Sequence, residues 1–276
     1  MSEQSTQRKR LPIDGTHNIR DIGGYIGKGG RKVKMGLLYR GDQLSKVTDQ
    51  GIEEFKKLNI NTIIDLRSPP EIKKSPNQYC GEQKTIHCDP SAETAELAAS
   101  FQVSAQDEDR MLVEKIKQRV EQSDNGESMY AQYRKFASHP KCIDAFKRLM
   151  LEVSKEDSAP LFFHCRGGKD RTGFAAMLIL GTLGVSDEDI IRDYLITKEN
   201  RAQRTQEKME SYRQYTDDQA VLTYLESLLD TAPDFIDASL KELKSNYNSV
   251  EQYVKEVLDL DEKAIKRIQD IYLEES

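Results

Sequence analysis

The chain has 276 residues, of which 37% are hydrophobic and 32% charged, and its formal net charge is −6. This length suits one large α/β domain or two smaller ones with a substantial core, and the acidic balance argues against general nucleic-acid binding. Four cysteines without a C-x-x-C pair and four scattered histidines form no metal-ligand pattern, and this cysteine usage fits a reducing compartment.

We expect no targeting signal in the N-terminal residues. Residues 1 to 10 are polar and predict a disordered tail, whereas residues 11 to 276 predict a single domain. No apolar core of a cleaved signal peptide is present at the N-terminus, and the longest apolar run, residues 173 to 185, is too short to span a bilayer. We expect no transmembrane segment and a cytoplasmic protein, or one exported without a cleaved signal peptide.

Short strands dominate the first ninety residues. Residues 11 to 30 read as structured loop, in which Arg20 and Asp21 either pair beneath a later loop or form a surface ion pair. Ligands of open α/β sheets bind beyond the carboxyl ends of the strands, where Asp65 and Arg67 stand. The apolar pattern predicts strands at residues 37–40, 61–66 and 84–88, and helices at 48–58 and after Pro69-Pro70-Glu71.

A long helical insertion follows. Between residues 91 and 151, apolar residues recur three and four apart. The insertion is expected to form either a lid beside the active site or ordinary scaffold helices on the sheet. Its predicted helices span residues 92–99, 110–120, 128–136 and 142–153, with a break at 123–126.

The stretch L-F-F-H-C-R-G-G-K-D-R-T-G, residues 161 to 173, predicts a strand, a glycine-bearing loop and a helix in that order. Such an arrangement points backbone N–H groups into the loop and adds the positive end of the helix dipole. The stretch therefore predicts an anion-binding loop.

The spacing in that loop places a nucleophile beside an anion clamp. Five residues separate Cys165 from Arg171, so thiol and guanidinium can face one bound phosphate. Loop amides, a helix N-terminus and nearby cations favour the thiolate, and arginine binds phosphate bidentately, which lysine does not. Phosphate-binding positions are expected at Arg166, Gly167, Gly168, Lys169, Thr172 and Gly173, with support from His164, Asp65 and Arg67.

A general acid is also expected. A dianionic phosphate and a thiolate are neighbouring like charges for Asp170, and like charges favour the protonated form of a carboxyl. Protonated Asp170 would then deliver a proton to the leaving group. Asp65 and, less strongly, Asp89 are the alternative acids, and the other role open to Asp170 is to bind the loop amides.

The remainder of the chain predicts a helical tail, residues 198 to 276. A helix opens at Ser186-Asp187, with acidic residues in its first turn. Residues 198 to 212 are strongly charged and predict a peripheral, mobile helix. Further helices are expected at 217–229, 233–244, 249–258 and 261–272, with apolar positions that pack against the sheet's helical face.

H-C-x-x-G-K-D-R-T-G resembles the signature H-C-x5-R-S/T of the cysteine-dependent protein-tyrosine phosphatases. The G-K-D-R form is similar to the atypical bacterial and fungal branch, which has tyrosine, dual-specificity and phosphoinositide phosphatase activities. Three more stretches resemble that branch in the same order: N-I-R-D-I-G-G-Y from residue 18, L-Y-R-G from residue 38, and I-D-L-R-S with Glu71 from residue 64.

Two features qualify the resemblance. The chain contains no Trp, so the movable W-P-D loop of the conventional tyrosine phosphatases, which carries their usual general acid, is missing. Lys169 stands beside Asp170, and in the families that this chain resembles a lysine at that place accompanies inositol-phosphate headgroups.

These observations lead to one interpretation. The fold is expected to be α/β, with a small, mostly parallel twisted sheet flanked by helices. The expected function is phosphomonoester hydrolysis through a cysteinyl-phosphate, without metal or organic cofactor, on phosphotyrosine proteins or phosphoinositides, with inorganic phosphate as product. A phosphate-binding module, a sulfurtransferase and an arsenate reductase remain as alternatives, and Cys80 or Cys88 forms either a protective disulfide with Cys165 or an inert thiol.

Overall fold

A five-stranded sheet organises residues 10–91, 105–121 and 129–275, the parts of the chain that this computed structural model describes. Three predictions lie outside the described residues: the helix at 92–99, the break at 123–126 and the first nine residues of the disordered N-terminal tail. The strands are β1 (Arg20–Asp21), β2 (Leu38–Gly41), β3 (Thr62–Asp65), β4 (Lys84–His87) and β5 (Leu161–His164).

Strand order places β5 at the centre of the sheet. The order is β1-β2-β5-β3-β4, in which β1 alone runs antiparallel to its neighbour. His164, the last residue of β5, is therefore in register with Gly41 on one side and Asp65 on the other. The predicted α/β fold with a mostly parallel sheet is confirmed, and the carboxyl ends of three strands meet where the predicted loop begins.

Eleven α-helices lie within the described residues. Most coincide with predicted helices, apart from one or two residues at their ends. They are α1 (Asp49–Lys56), α2 (Pro69–Lys74), α3 (Ala105–Glu121), α4 (Met129–Ser138), α5 (Pro140–Val153), α6 (Asp170–Thr182), α7 (Asp187–Arg213), α8 (Gln219–Leu229), α9 (Pro233–Tyr247), α10 (Val250–Glu256) and α11 (Glu262–Tyr272). None of them is both long and apolar enough to cross a membrane.

Both faces of the sheet are buried. Successive side chains of a strand point to opposite faces, so Phe162 and Ile63 pack in one cluster while Phe163 and Ile64 pack in the other. The first cluster is small and lies under α1. The second is the main core, and it contains the buried faces of α4, α5, α6, α9, α10 and α11. The apolar residues of the tail, from Phe235 onward, thus pack as predicted.

A third apolar cluster lies apart from both faces of the sheet. Val113 and Ile116 of α3 pack against Met209 and Tyr212 of α7 and against Leu225 of α8. We call these three packed segments the cap. The cap overturns the prediction that residues 198 to 212 are peripheral, because they continue the helix that opens at Asp187 and bury two side chains. Within the insertion, α3 belongs to the cap, whereas α4 and α5 pack in the main core.

Two residues of α5 differ in burial, and we expect their substitutions by alanine to differ in the stability that they cost. Phe146 of α5 is fully buried among Phe136 and Phe174, so Phe146→Ala should cost about 3–5 kcal/mol of unfolding free energy. Leu151 on the same helix is 39% exposed, and Leu151→Ala should cost less than about 1 kcal/mol. Urea unfolding measures both, and equal losses would contradict this account of the core.

Candidate active site

In the loop between β5 and α6, residues 165–169, side chains from other segments bind the carbonyl oxygens of Gly167 and Gly168. Asn18 Nδ2 donates to the carbonyls of Gly167 and Gly168 at 3.3 and 3.0 Å. Arg40 Nη2 donates to Gly168 at 3.0 Å, and Arg201 Nη1 donates to Gly167 at 2.8 Å. Because a peptide unit holds its N–H opposite its C=O, these contacts turn the loop amides inward.

The inward amides are available to a ligand. Among the described residues, no backbone N–H from 166 to 172 donates a hydrogen bond to the protein. Gly168 adopts φ +65°, and a side chain there would lie 2.4 Å from the carbonyl oxygen of Gly41. A glycine is therefore favoured at this position. The inward amides have the geometry of an anion cradle, and the binding of phosphate by them stays a prediction.

A buried ion-pair network holds the outer side of the loop. Arg20 Nε lies 3.2 Å and Arg40 Nη1 2.5 Å from the carboxylate of Asp193 on α7. Arg20 also donates to Asn18 Oδ1 at 2.7 Å, which orients the amide that binds the loop. The predicted pairing of Arg20 with Asp21 is wrong, because Asp21 instead accepts bonds from backbone amides beyond β1.

His164 contacts the backbone of the adjacent cysteine. Its Nδ1 lies 3.0 Å from the carbonyl oxygen of Cys165, and its Nε2 accepts from Asn77 Nδ2 at 2.9 Å. The proton therefore resides on Nδ1, in a neutral imidazole. Burial lowers the pKa of His164, which agrees with the neutral form. Cys165 itself is 3% exposed and lies at the floor of the cavity.

Asp65 and Arg67 form a buried pair at the end of β3. Arg67 donates to both carboxylate oxygens of Asp65, at 2.9 and 2.6 Å, and also to Asn77 Oδ1 at 3.0 Å. Burial raises the pKa of Asp65, but His164 and Arg67 outweigh that effect and lower it. The pair fixes Asn77, which in turn orients His164.

Arg171 is positioned by a carboxylate whose role the sequence analysis missed. Glu71 of α2 accepts from Nη1 and Nη2 of Arg171 at 2.7 and 2.9 Å, and the carbonyl of Leu66 accepts from Nη1 at 3.0 Å. Burial lowers the pKa of Arg171, but Glu71 outweighs it and raises the pKa. Guanidinium has five donors, so the edge formed by Nε–H and the second Nη2–H remains for a ligand. Glu71 also accepts from the Ser68 amide at 2.9 Å, and this S-x-x-E capping pattern was readable in the sequence.

Asp170 receives two donors on one oxygen. Tyr133 Oη donates to its Oδ1 at 2.9 Å, and Lys169 Nζ lies 3.5 Å from the same atom. Tyr194 Oη lies 2.6 Å from Tyr133 Oη. Burial and then Asp170 raise the pKa of Tyr133 well above its usual value, so its hydroxyl keeps its proton. Oδ2 of Asp170 has no protein partner among the described residues, and Asp170 lines the cavity.

Lys169 is less available than the sequence suggests. Its Nζ donates to the main-chain carbonyls of Leu228 and Asp230, both at 2.7 Å, in addition to the contact with Asp170. These three acceptors match the three donors of an ammonium. The position of Lys169 thus ties the loop to the end of α8, and its predicted contact with phosphate stays a prediction.

The other predicted loop residues divide between the cavity and the core. Arg166 lines the cavity and pairs with Glu108 of α3 at 2.5 Å. The Thr172 hydroxyl is buried and has no partner among the described residues. Gly173 faces Tyr194, and a side chain at 173 would lie 2.9 Å from that ring. Gly173 therefore permits the close packing of α6 on α7.

The four cysteines are free and buried. Burial raises the pKa of Cys80 to about 12 and that of Cys88 to about 11, as expected for inert thiols. The alternative of a disulfide with Cys165 is therefore not seen in this structure. Within the described parts of the chain, no group of three His, Cys, Asp or Glu side chains is arranged to hold a metal ion.

Comparisons with known proteins agree with the geometry. A sequence model of the tyrosine phosphatase family matches residues 11–274. A Cupriavidus necator protein, provisionally named a tyrosine-protein phosphatase, is 30% identical over 92% of this chain and 86% of its own. The triple specificity protein phosphatase of Mycobacterium tuberculosis is 22% identical over 95% of this chain and 98% of its own.

Glu71→Gln is expected to weaken the binding of inorganic phosphate about 10-fold or more, because the guanidinium of Arg171 loses its charged anchor. Isothermal calorimetry measures the affinity. Glu152→Gln is the matched control, because Glu152 is equally buried and is paired with Lys84 at 2.6 Å, away from the cavity. Both variants should lose stability, and equal losses of phosphate affinity would contradict the positioning role of Glu71.

Proposed function

The chain belongs to the tyrosine phosphatase family and is a phosphatase of the protein-tyrosine-phosphatase type, and on that premise we propose how it hydrolyses phosphomonoesters. Cys165 is the nucleophile, Arg171 and the loop amides hold the phosphate, and Asp170 transfers the protons. One observation carries the proposal: a buried thiol lies in the same cavity as inward amides that no described residue accepts from, and as the free edge of a guanidinium.

Electrostatics favours the binding of an anionic phosphate in the cavity. The inward amides of residues 166 to 172 and the N-terminus of α6 present positive dipole ends to the cavity. The free edge of Arg171 supplies two parallel donors, which match two phosphate oxygens. These groups are in place before substrate arrives, so they stabilise charge that develops in the transition state without reorganising.

In the first step the Cys165 sulfur attacks phosphorus, and the bond from phosphorus to the ester oxygen breaks. The leaving oxygen takes a proton from Oδ2 of Asp170, the oxygen that no described residue contacts by a hydrogen bond. A cysteinyl-phosphate forms, with its equatorial oxygens on the loop amides and Arg171.

In the second step water attacks the cysteinyl-phosphate. Asp170, now a carboxylate, removes a proton from that water, and the sulfur leaves as the thiolate. Inorganic phosphate is the product. Tyr133 holds the carboxylate through Oδ1 in both steps, so one group serves as acid and then as base.

The geometry favours Asp170 over the two alternative acids. Asp65 is 1% exposed, its oxygens are occupied by Arg67, and its lowered pKa disfavours the protonated acid that the first step needs. Asp89 is paired with Lys141 at 3.0 Å and accepts from the Ser91 amide. Neither lines the cavity, whereas Asp170 does.

Phosphotyrosine on proteins is the proposed main substrate class, with phosphoinositides as a second. The family supports the first, and the name of the mycobacterial relative, a triple specificity phosphatase, supports a broader range. The four free cysteines favour a reducing compartment such as the cytoplasm. Membership of the family leaves no support for a sulfurtransferase, an arsenate reductase or a mere binding module.

Cys165→Ser should abolish the hydrolysis of 4-nitrophenyl phosphate while phosphate binding remains, because the amides and Arg171 are unchanged. Asp170→Asn should reduce turnover about 10²- to 10⁴-fold on an alkyl phosphate, whose leaving group needs the proton, and far less on the nitrophenyl ester. Steady-state kinetics on both esters tests this. A uniform effect of Asp170→Asn on both would remove Asp170 from the acid role.

Tyr133→Phe should lower turnover of the poor leaving group about 10-fold, because a hydrogen bond to a charged carboxylate is lost. The ring and its packing are kept, so the melting temperature should change little. Tyr194→Phe is the control, since its hydroxyl reaches Asp170 only through Tyr133. Equal effects on good and poor leaving groups would indicate a merely structural contact.

A further inference from the structure

Cations extend along the cavity well beyond the phosphate loop. The cavity has a volume of about 510 Å³, and nine Lys and Arg side chains line it against four Asp and Glu. The chain as a whole carries a net charge of −6. The positive charge is therefore concentrated here, and its contribution outside the loop comes largely from the cap.

Several of these cations are already compensated. Glu108 lies 2.5 Å from Arg166 and 2.9 Å from Lys74, and Asp109 lies 2.5 Å from Lys208. Burial raises the pKa of Glu108, but Arg166 and Lys74 outweigh that effect and lower it. These ion pairs link α3 to the loop and to α7. The paired cations are therefore neutralised, and they stabilise the position of the cap.

Two arginines of α7 are not compensated in this way. Among the described residues, Arg201 pairs with no carboxylate, and its buried Nε has no partner while Nη1 binds the Gly167 carbonyl. Arg204 has one ion pair within the described part of the chain, with Glu207 at 3.3 Å on the same helix. Both members of that pair are more than a third exposed, so the pair neutralises little.

A histidine, His17, lines the same cavity as these two arginines. Burial lowers the pKa of His17, Asp42 opposes this, and Arg10, Arg204 and Arg201 lower it further. Asp42 itself is engaged by the backbone amides of His17 and Asn18 at 2.9 Å each. Two arginines and an imidazole that can donate a hydrogen bond thus line one cavity, an arrangement that suits a bound anion.

We propose that His17, Arg201 and Arg204 form a second anion subsite, which binds a further phosphate of a small substrate whose other phosphate occupies the loop. Arg201 contacts Gly167 directly, so the subsite adjoins the loop and both phosphates must belong to one compact molecule. A cavity of about 510 Å³ is of the size that holds small ligands. A bisphosphorylated polyol, free or as a lipid headgroup, has this chemistry.

This inference rests on the proposed hydrolysis and is tested by phosphate release from matched esters. The substrates are an inositol bisphosphate, the corresponding monophosphate, their short-chain lipid forms, and 4-nitrophenyl phosphate. The wild type should show a kcat/KM about 10-fold or more higher for the bisphosphate than for the monophosphate, because each charged contact contributes about that factor.

Arg204→Gln should reduce that preference to about 2-fold or less. Arg213→Gln, the same change at the exposed end of the same helix, should leave the preference at the wild-type ratio. Arg204→Lys should restore part of it, because the charge remains. An unchanged preference in Arg204→Gln, or an equal loss on all esters, overturns the proposal.

The remaining outcomes are equally informative. Faster turnover of the lipid forms assigns the headgroup to a lipid, and faster turnover of the free forms assigns it to a soluble ester; both support the subsite. An Arg204-dependent preference seen only with a doubly phosphorylated peptide overturns the compact ligand. If 4-nitrophenyl phosphate is cleaved but the bisphosphate is not preferred, the subsite proposal is contradicted and the proposed hydrolysis stands. If no ester is cleaved, the proposed hydrolysis fails as well.

Discussion

Asn18 and Arg40 draw the loop carbonyls of Gly167 and Gly168 away from the cavity, and the anion site depends on those contacts. A loop of this length has no fixed direction for its peptide units by itself. Once these carbonyls are bound outside, the amides converge inside, and within the described part of the chain they have no protein acceptor. The cost of unpaired donors is tolerated because they face a cavity rather than a dry core.

The same constraint explains why buried arginines surround the loop. A buried charge is costly unless a carboxylate pairs with it and its remaining donors find acceptors. Asp193 neutralises part of the Arg20 and Arg40 pair, and those arginines use other donors on Asn18 and on the loop. Burying these charges costs free energy, and the hydrogen bonds that they make hold the loop in one conformation.

The cap adds a second layer with a different balance. Its apolar cluster holds α3, α7 and α8 together, while its cations face the cavity. Glu108 and Asp109 neutralise some of that charge, but Arg201 and Arg204 keep theirs. A chain that is acidic overall therefore presents a local positive wall, and Debye screening confines its effect to ligands that enter the cavity.

By itself the sequence determined the local chemistry: a strand, a glycine-bearing loop and a helix, with Cys165, Asp170 and Arg171 at a spacing that brings them to one anion. Alternating and helical apolar patterns also predicted most elements, because such periods report directly which face is buried. Only the tertiary structure decided the partners of those residues. Glu71 and Tyr133 reach the loop from α2 and α4, about a hundred and about forty residues away, and no local pattern encodes such a contact. The charged run before Met209 was misread for the same reason, since its apolar partners lie on α3 and α8.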